Sequence, residues 1–253
     1  MPDVTPFSCA GRRVLITGGG TGLGLAMARC LHAAGATVVV NGRRAEVLDA
    51  ALPQIGPRAH ALVGDVTAPG AADALVRRAG ELAGGAITVL INNAGVHCKK
   101  PLAETTDSDF DGVLGTHVGA AFRLSRAAAA GMGGDGVILF MASMTSLIGM
   151  PKVVAYSAAK SAYLGMTRAL ASELAADGIR VNAIAPGWIE SPMLRQALAG
   201  DPARQAKILA RTPMGRFGDP DDIGTTAVWL CSPAARFITG TVIPVDGGAS
   251  IGF

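Results

Sequence analysis

The sequence predicts an α/β fold, a doubly wound parallel sheet of about seven strands, from two features. Short β-branched runs alternate with longer helical stretches, and those runs are apolar throughout rather than at every second position. Strand–helix alternation pairs the strands in parallel through helical crossovers. Strands without a polar face need cover on both sides, which gives a three-layer α/β/α sandwich. The chain has 253 residues, half of them hydrophobic, and no linker, low-complexity tract or short repeat divides it. One domain over 1–253 is therefore expected.

The first strand, VLIT at 14–17, runs into TGGGTGLG at 17–24 and a helix near 22–34. A strand feeding a glycine-rich turn and a helix N-terminus makes an anion site, since free backbone N–H groups and the helix dipole converge there. Gly18 suits the tight turn, Gly22 a close approach to a pyrophosphate, and Gly24 close packing of helix on sheet, with Thr21 and Leu23 in the same turn. This is the dinucleotide-binding, Rossmann-type arrangement, although the spacing is not G-x-G-x-x-G.

The second strand, TVVV at 37–40, ends in Asn41 and Gly42, where such a fold often carries a carboxylate for the adenosine ribose. Arg43 and Arg44 follow. With no carboxylate to repel a 2′-phosphate and a guanidinium to grip one, Arg43 favours NADP(H), with NAD(H) as the alternative. The plainer reading is that both arginines open a solvated helix, near 44–52.

AHALV at 59–63 is the third strand, followed by a helix near 69–83. The fourth is ITVLI at 87–91, with a helix near 107–131. VILFM at 137–141 is the fifth, before a helix near 153–176, and IRVNAIA at 179–185 is the sixth. Prolines and glycines then break the chain from about 187 to 218, which reads as a substrate loop or lid with a helix near 192–211. A helix near 219–231 and the strand TVIPV at 241–245 complete the sheet.

Composition narrows the function. The net charge is +3 and the basic residues are scattered in pairs, which gives nucleic-acid binding no support. Four cysteines lie far apart with no histidine at ligand spacing, so no metal site is expected. No basic-then-apolar leader follows Met1, and no apolar run is long enough to span a bilayer. A cytoplasmic protein without membrane attachment is the expectation.

YSAAK at 156–160 carries the chemistry. Helical spacing puts Tyr156 and Lys160 on one face. Moving a phenol from pKa 10 to 7 takes about 4 kcal/mol. One ammonium about 4 Å away at an effective dielectric near 20 supplies that much, enough to make Tyr156 a general acid and base. A half-buried tyrosine beside a snorkelling lysine is the ordinary reading of the pair taken alone.

Together, TGGGTGLG at 17, GDVT at 64, NNAG at 92, the serine of FMASM, YSAAK at 156, PGWIES at 186, RFGDP at 216 and ITGTVIPVDGG at 238 resemble the short-chain dehydrogenase/reductase family over nearly the whole chain. The resemblance implies an NAD(P)-dependent oxidoreductase acting on an alcohol or carbonyl. It implies that Tyr156 is the proton donor and acceptor, that Lys160 lowers its pKa and holds the nicotinamide ribose, and that Ser143 hydrogen-bonds the substrate oxygen. It further places Asp65 and Val66 at the adenine, Asn92, Ala94 and Gly95 on the adenosine side, and Pro186, Gly187, Ile189 and Ser191 in the loop meeting the carboxamide. It also implies a homotetramer built through the helices near 107–131 and 153–176 and the last strand.

One position departs from the family pattern. His117, in THVG at 116–119, replaces an asparagine that the family uses to anchor a water in a proton relay. Imidazole can donate and accept, so it can hold the same water, be an ordinary interior histidine, or impair the relay. His97, Cys98, Met144, Thr145, Val153 and Trp188 are expected to shape the substrate pocket. They leave a sugar or polyol, a 3-oxoacyl thioester and a small ketone all open. Lys99 and Lys100 raise the option of an anionic substrate, with a solvated loop the plainer reading. Two other classes stay open: a cofactor sensor without turnover, and a methyltransferase on a similar sheet.

Overall fold

The structure is a computed structural model that describes residues 6–252 apart from 192, 193, 196 and 197. Seven parallel strands form one sheet: β1 (Arg13–Thr17), β2 (Thr37–Gly42), β3 (Ala59–Val63), β4 (Val89–Asn92), β5 (Gly136–Met141), β6 (Ile179–Pro186) and β7 (Val242–Val245). Their order is β3-β2-β1-β4-β5-β6-β7. The chain winds outward from β1 in one direction and, after crossing back to β4, in the other. The crevice above the β1–β4 boundary is where sheets of this type bind ligands.

Helices α1 (Gly22–Ala33), α2 (Ala45–Ile55), α3 (Ala71–Ala83), α4 (Asp107–Leu114), α5 (Ala120–Ala129), α6 (Val154–Leu174), α7 (Pro202–Arg211) and α8 (Pro220–Cys231) connect and cover the strands. Two apolar cores result, one on each face. Val14, Ile16, Val38 and Val40 pack with Met27, Leu31, Leu48 and Leu230 on one side. Leu15, Val39, Leu90 and Phe140 pack with Leu75, Leu124 and Tyr163 on the other. Successive residues of β1 and β2 thus point into different cores, and all six residues of β5 are buried. Each fully buried aliphatic side chain contributes about 1.5–3 kcal/mol, so the central strands anchor the fold.

Three elements differ from expectation. The helix expected to stop at 52 continues through Pro53 to Ile55, because burying Ile55 in the core offsets the hydrogen bond that the proline removes. The helix expected over 107–131 is interrupted by a π-helical segment, Gly115–Gly119, that separates α4 from α5. The helix expected near 192–211 is helical as Pro202–Arg211, while positions 192, 193, 196 and 197 lie outside the described residues. The 187–218 segment leaves and rejoins the body at one point. Ile189 and Gly218 form a parallel bridge there, with Gly218 N–H donating to Trp188 O at 2.9 Å and Glu190 N–H to Gly218 O at 2.8 Å.

Candidate active site

The C-terminal ends of β1, β2, β3 and β4 open onto a cleft of about 240 Å³ lined by Gly18, Thr21, Arg43, Asp65, Val66, Ala94 and Gly95, among others. Local chemistry shapes it for an anion. Thr21 caps α1 with no side-chain hydrogen bond, and the first turn holds no acidic residue, so the turn's N–H groups remain available. Gly24 is obligatory, since a Cβ there would lie 2.3 Å from Gly18 O. Leu23 instead packs against the core.

Two residues that sequence reasoning missed brace this loop. Asn93 Nδ2 donates to Thr17 O at 2.9 Å and to Gly18 O at 3.0 Å. Thr17 Oγ1 accepts from the N–H groups of Asn93 and Ala94, both at 3.0 Å. The neighbouring asparagine, Asn92, does not line the cleft. It is buried and donates to Ser125 Oγ at 3.2 Å, which makes it a link between β4 and α5.

At the far side of the cleft Asn41 is buried and donates to Leu62 O and Gly64 O, tying β2 to β3. Arg43 and Arg44 are exposed, and neither makes an ion pair among the described residues. Asp65 is held below its usual range by Thr67, whose N–H and hydroxyl both donate to it, while Arg43 adds a weaker attraction. The residues present therefore fit a dinucleotide: free helix N–H groups for its phosphates and unpaired guanidiniums at the adenosine end.

The β5, β6 and α6 ends hold the expected catalytic residues. Ser143 caps a short turn at the end of β5, and its Oγ accepts from Thr145 N–H at 3.2 Å. Its side chain also acts on the Tyr156 phenol, favouring the ionised form. Lys160, one turn along α6, is buried, and its Nζ donates to Met141 O. That Nζ lies 5.4 Å from the Tyr156 ring centre and 5.1 Å from that of Tyr163. Tyr163, one turn further along α6, stacks on Phe140 at 5.0 Å and donates to His117 O at 2.8 Å, which fastens the π segment.

The protonation balance differs from the expected one. Burial pushes the Tyr156 phenol up, opposed by the Ser143 side chain. Burial also lowers Lys160 to about 7. Desolvation thus opposes the charged form of both groups, against the ion-pair effect anticipated from the sequence.

His117 sits inside this group, buried, at the centre of the π segment. Its Nε2 is 2.8 Å from Val96 O and 3.1 Å from Val96 N. The shorter contact assigns the proton to Nε2, which donates to the carbonyl. Nδ1 then carries a buried lone pair without a protein partner. Burial first, then the Lys160 charge, hold His117 down at about 4. A Cβ on Gly95 would lie 2.2 Å from His117 Cε1, so the glycine of NNAG gives the imidazole its place.

The remaining residues fall around the rim. His97 stacks on Tyr156, with ring centres 4.8 Å apart. Thr145 is buried with its hydroxyl unpartnered. Pro186 and Gly187 end β6, where a Cβ on Gly187 would meet Asp246, and Trp188 and Ile189 root the 187–218 segment. Ser191 Oγ accepts from Leu194 N–H at 3.0 Å. Among the described residues, no group of three or more His, Cys, Asp or Glu could hold a metal ion, and no helix is long and apolar enough to cross a membrane.

Known proteins share this arrangement over their full length. The family model for enoyl-(acyl carrier protein) reductase matches residues 18–250. Gluconate 5-dehydrogenase of Gluconobacter oxydans is 37% identical, with 99% of this chain and 98% of that protein covered. A crystal structure of a short-chain dehydrogenase/reductase, a glucose/ribitol dehydrogenase from Brucella melitensis, superposes with a TM-score of 0.90 at 35% identity over 97% of this chain and 99% of that one. A gluconate 5-dehydrogenase from Burkholderia cenocepacia, crystallised with NADP and tartrate, gives 0.90 at 32% identity over 99% of each chain. On its sequence, its sheet order and these full-length likenesses, the chain belongs to the short-chain dehydrogenase/reductase family.

Proposed function

We propose that the protein is an NADP(H)-preferring oxidoreductase that interconverts a secondary alcohol and a ketone on a sugar acid or related polyol, with Tyr156 as its general acid and base. The observation that carries the proposal is the placing together of Ser143, whose side chain acts on the Tyr156 phenol, and buried Lys160, whose Nζ lies 5.4 Å from the Tyr156 ring centre, at the strand ends that border the glycine-rich cleft. When bound, the nicotinamide supplies the two-electron chemistry. Thr21, Gly22, Leu23 and Gly24 would hold the phosphates at the start of α1. Arg43 would grip a 2′-phosphate, which favours NADP(H) over NAD(H), while Asp65, Val66, Ala94 and Gly95 flank the adenosine.

Ser143 orients the substrate oxygen, and Tyr156 gives that oxygen its proton in reduction or removes it in oxidation. The raised phenol of the resting site is in the donating form, which suits ketone reduction. Oxidation needs the phenolate, and hydrogen bonds that keep Lys160 charged favour it. His117 Nδ1, buried and without a protein partner, is a candidate to hold a water of the proton relay. The 187–218 segment, with Ile189 and Ser191 at its root, closes the substrate side.

The gluconate and polyol names of the relatives support this substrate class over a 3-oxoacyl thioester. A homotetramer is proposed on family grounds, and the four free cysteines suit a reducing cytoplasm. The test is NADPH oxidation with 5-keto-D-gluconate and a panel of ketones, followed at the nicotinamide absorbance, in wild type and Tyr156→Phe. Turnover lost in the variant supports the reading. Cofactor binding with no turnover of any ketone or alcohol would instead favour the sensor, and activity retained in Tyr156→Phe would refute the assigned role.

A further inference from the structure

Two loop segments border the entrance beside Tyr156: residues 97–100 after β4, whose His97 stacks on the Tyr156 ring, and residues 147–152, which lead into α6. Lys100 N–H donates to Lys152 O at 2.9 Å and joins the two segments. Cationic side chains crowd this junction. Lys100 is neutralised, since its Nζ contacts Asp109 at 2.7 Å and Glu104 also acts on it. Lys99 and Lys152 are exposed and have no ion-pair partner among the described residues. Two ammonium groups without ion-pair partners thus lie on the two segments, and Lys99 acts electrostatically on His97, the residue stacked on Tyr156.

The backbone singles out Lys152. It is the one non-glycine with positive φ among the described residues, at 67°. Left-handed backbone disfavours a lysine, and such outliers cluster at ligand clamps and active sites, where the side chain has a use that offsets the strain. Four residues later comes Tyr156.

Uncharged polar groups adjoin Ser143 and Tyr156. The His97 ring stacks on Tyr156, and neither of its nitrogens has a hydrogen-bond partner among the described residues. The Thr145 hydroxyl is more than nine-tenths buried and unpartnered, while its N–H is held by Ser143 Oγ. A buried hydroxyl without a partner is costly, and a ligand hydroxyl would satisfy it. Thr145 thus adjoins Ser143, His97 adjoins Tyr156, and the exposed cations Lys99 and Lys152 lie on the two bordering segments.

We propose that this entrance is a subsite for the carboxylate of a polyhydroxylated acid, with Lys152 and Lys99 taking the anion and His97 and Thr145 the intervening hydroxyls. The proposal rests on the oxidoreductase reading and extends it to the residues that select an acid over its neutral polyol. Ammonium groups recognise carboxylate as point charges, so the discrimination is electrostatic and weakens with salt.

The test compares D-gluconate with D-glucitol, which differ at the anionic end, in wild type, Lys152→Gly, Lys99→Met and Lys152→Arg. Glycine removes the charge while accepting the left-handed backbone, so Lys152→Gly folds at least as stably. The expected result is a KM for gluconate raised about tenfold in Lys152→Gly and Lys99→Met, with kcat within about twofold, an unchanged KM for glucitol, and Lys152→Arg close to wild type. A second readout needs no turnover: with NADP present, gluconate should raise the Tm of wild type and lose that effect in Lys152→Gly. Equal effects on both probes, no effect on either, or no protection of wild type by gluconate would overturn the subsite. Protection by gluconate without oxidation of either compound would leave the subsite standing and count against the catalytic reading.

Discussion

The imidazole of His117 meets the phenol ring of Tyr156 edge-on, with ring centres 5.6 Å apart. A ring that touches the proposed acid and also hydrogen-bonds Val96 beside the cofactor cleft links the two halves of the site. Its π-helical setting is a rare geometry found most often at functional positions. His117→Ala, which removes both the contact and the Nδ1 acceptor, should lower kcat at least about tenfold with a smaller change in KM. His117→Asn, which restores hydrogen bonding, should recover most of it.

The same residue sets an acid limit on stability. Its pKa is about 4 in the fold and 6.5 when unfolded. The unfolded chain therefore takes up the proton first as the solution is acidified. Stability is fully present above pH 6.5 and is lost as pH falls towards 4, by up to about 3 kcal/mol. Urea unfolding at stepped pH values should show this loss in wild type and a flatter profile in His117→Asn.

Lys160 gives a signature of the same sign in a higher pH window. It releases its proton at about 7 in the fold and near 10.4 when unfolded. Between those values the unfolded chain binds the extra proton, so stability rises with pH, by up to about 1.4 kcal/mol per unit. Lys160→Met should remove the rise, leave the protein more stable than wild type at pH 7 by at least about 1 kcal/mol, and abolish turnover. A lysine whose removal stabilises the fold and destroys activity is retained for function.

Much of this was legible in the sequence because it depends on local pattern. Continuously apolar strands and turn glycines gave the sheet, and the Tyr156–Lys160 spacing gave the shared helix face. What stayed hidden depends on tertiary context. Asn92 and Asn93 are chemically identical, and only the pleat of β4 sends one to Ser125 and the other to the glycine loop. GTHVG carries the same apolar spacing in an α-helix as in a π turn, and the deciding bond, Tyr163 to His117 O, spans 46 residues. The protonation balance is likewise set by burial, because spacing reveals a neighbouring charge but not the desolvation that opposes it.

Arg43 tests cofactor choice. It lines the cleft exposed and without a carboxylate partner. A charge-assisted hydrogen bond to phosphate contributes about 1.5–3 kcal/mol. Arg43→Ala should therefore raise KM for NADPH by about 10- to 100-fold and change KM for NADH by less than about threefold. Arg44, two residues past Gly42, is the control; if its removal has the larger effect, the 2′-phosphate lies against Arg44.

Gly95 tests whether the cofactor loop and His117 act as one unit. A methyl group at Gly95 would overlap the imidazole, which is confined by Tyr156 at 5.6 Å and Tyr163 at 6.5 Å and cannot swing aside. Overpacking of this kind costs about 1–3 kcal/mol. Gly95→Ala should lower stability by that amount and reduce kcat, because either the loop or the ring must shift. With His117→Ala the clash disappears, so adding Gly95→Ala to that variant should cost less than about 0.5 kcal/mol. The coupling energy from a double-mutant cycle, read by urea unfolding, should then exceed about 1 kcal/mol. An additive cycle would mean that the backbone relaxes around the methyl group and that the loop does not depend on the imidazole for its position.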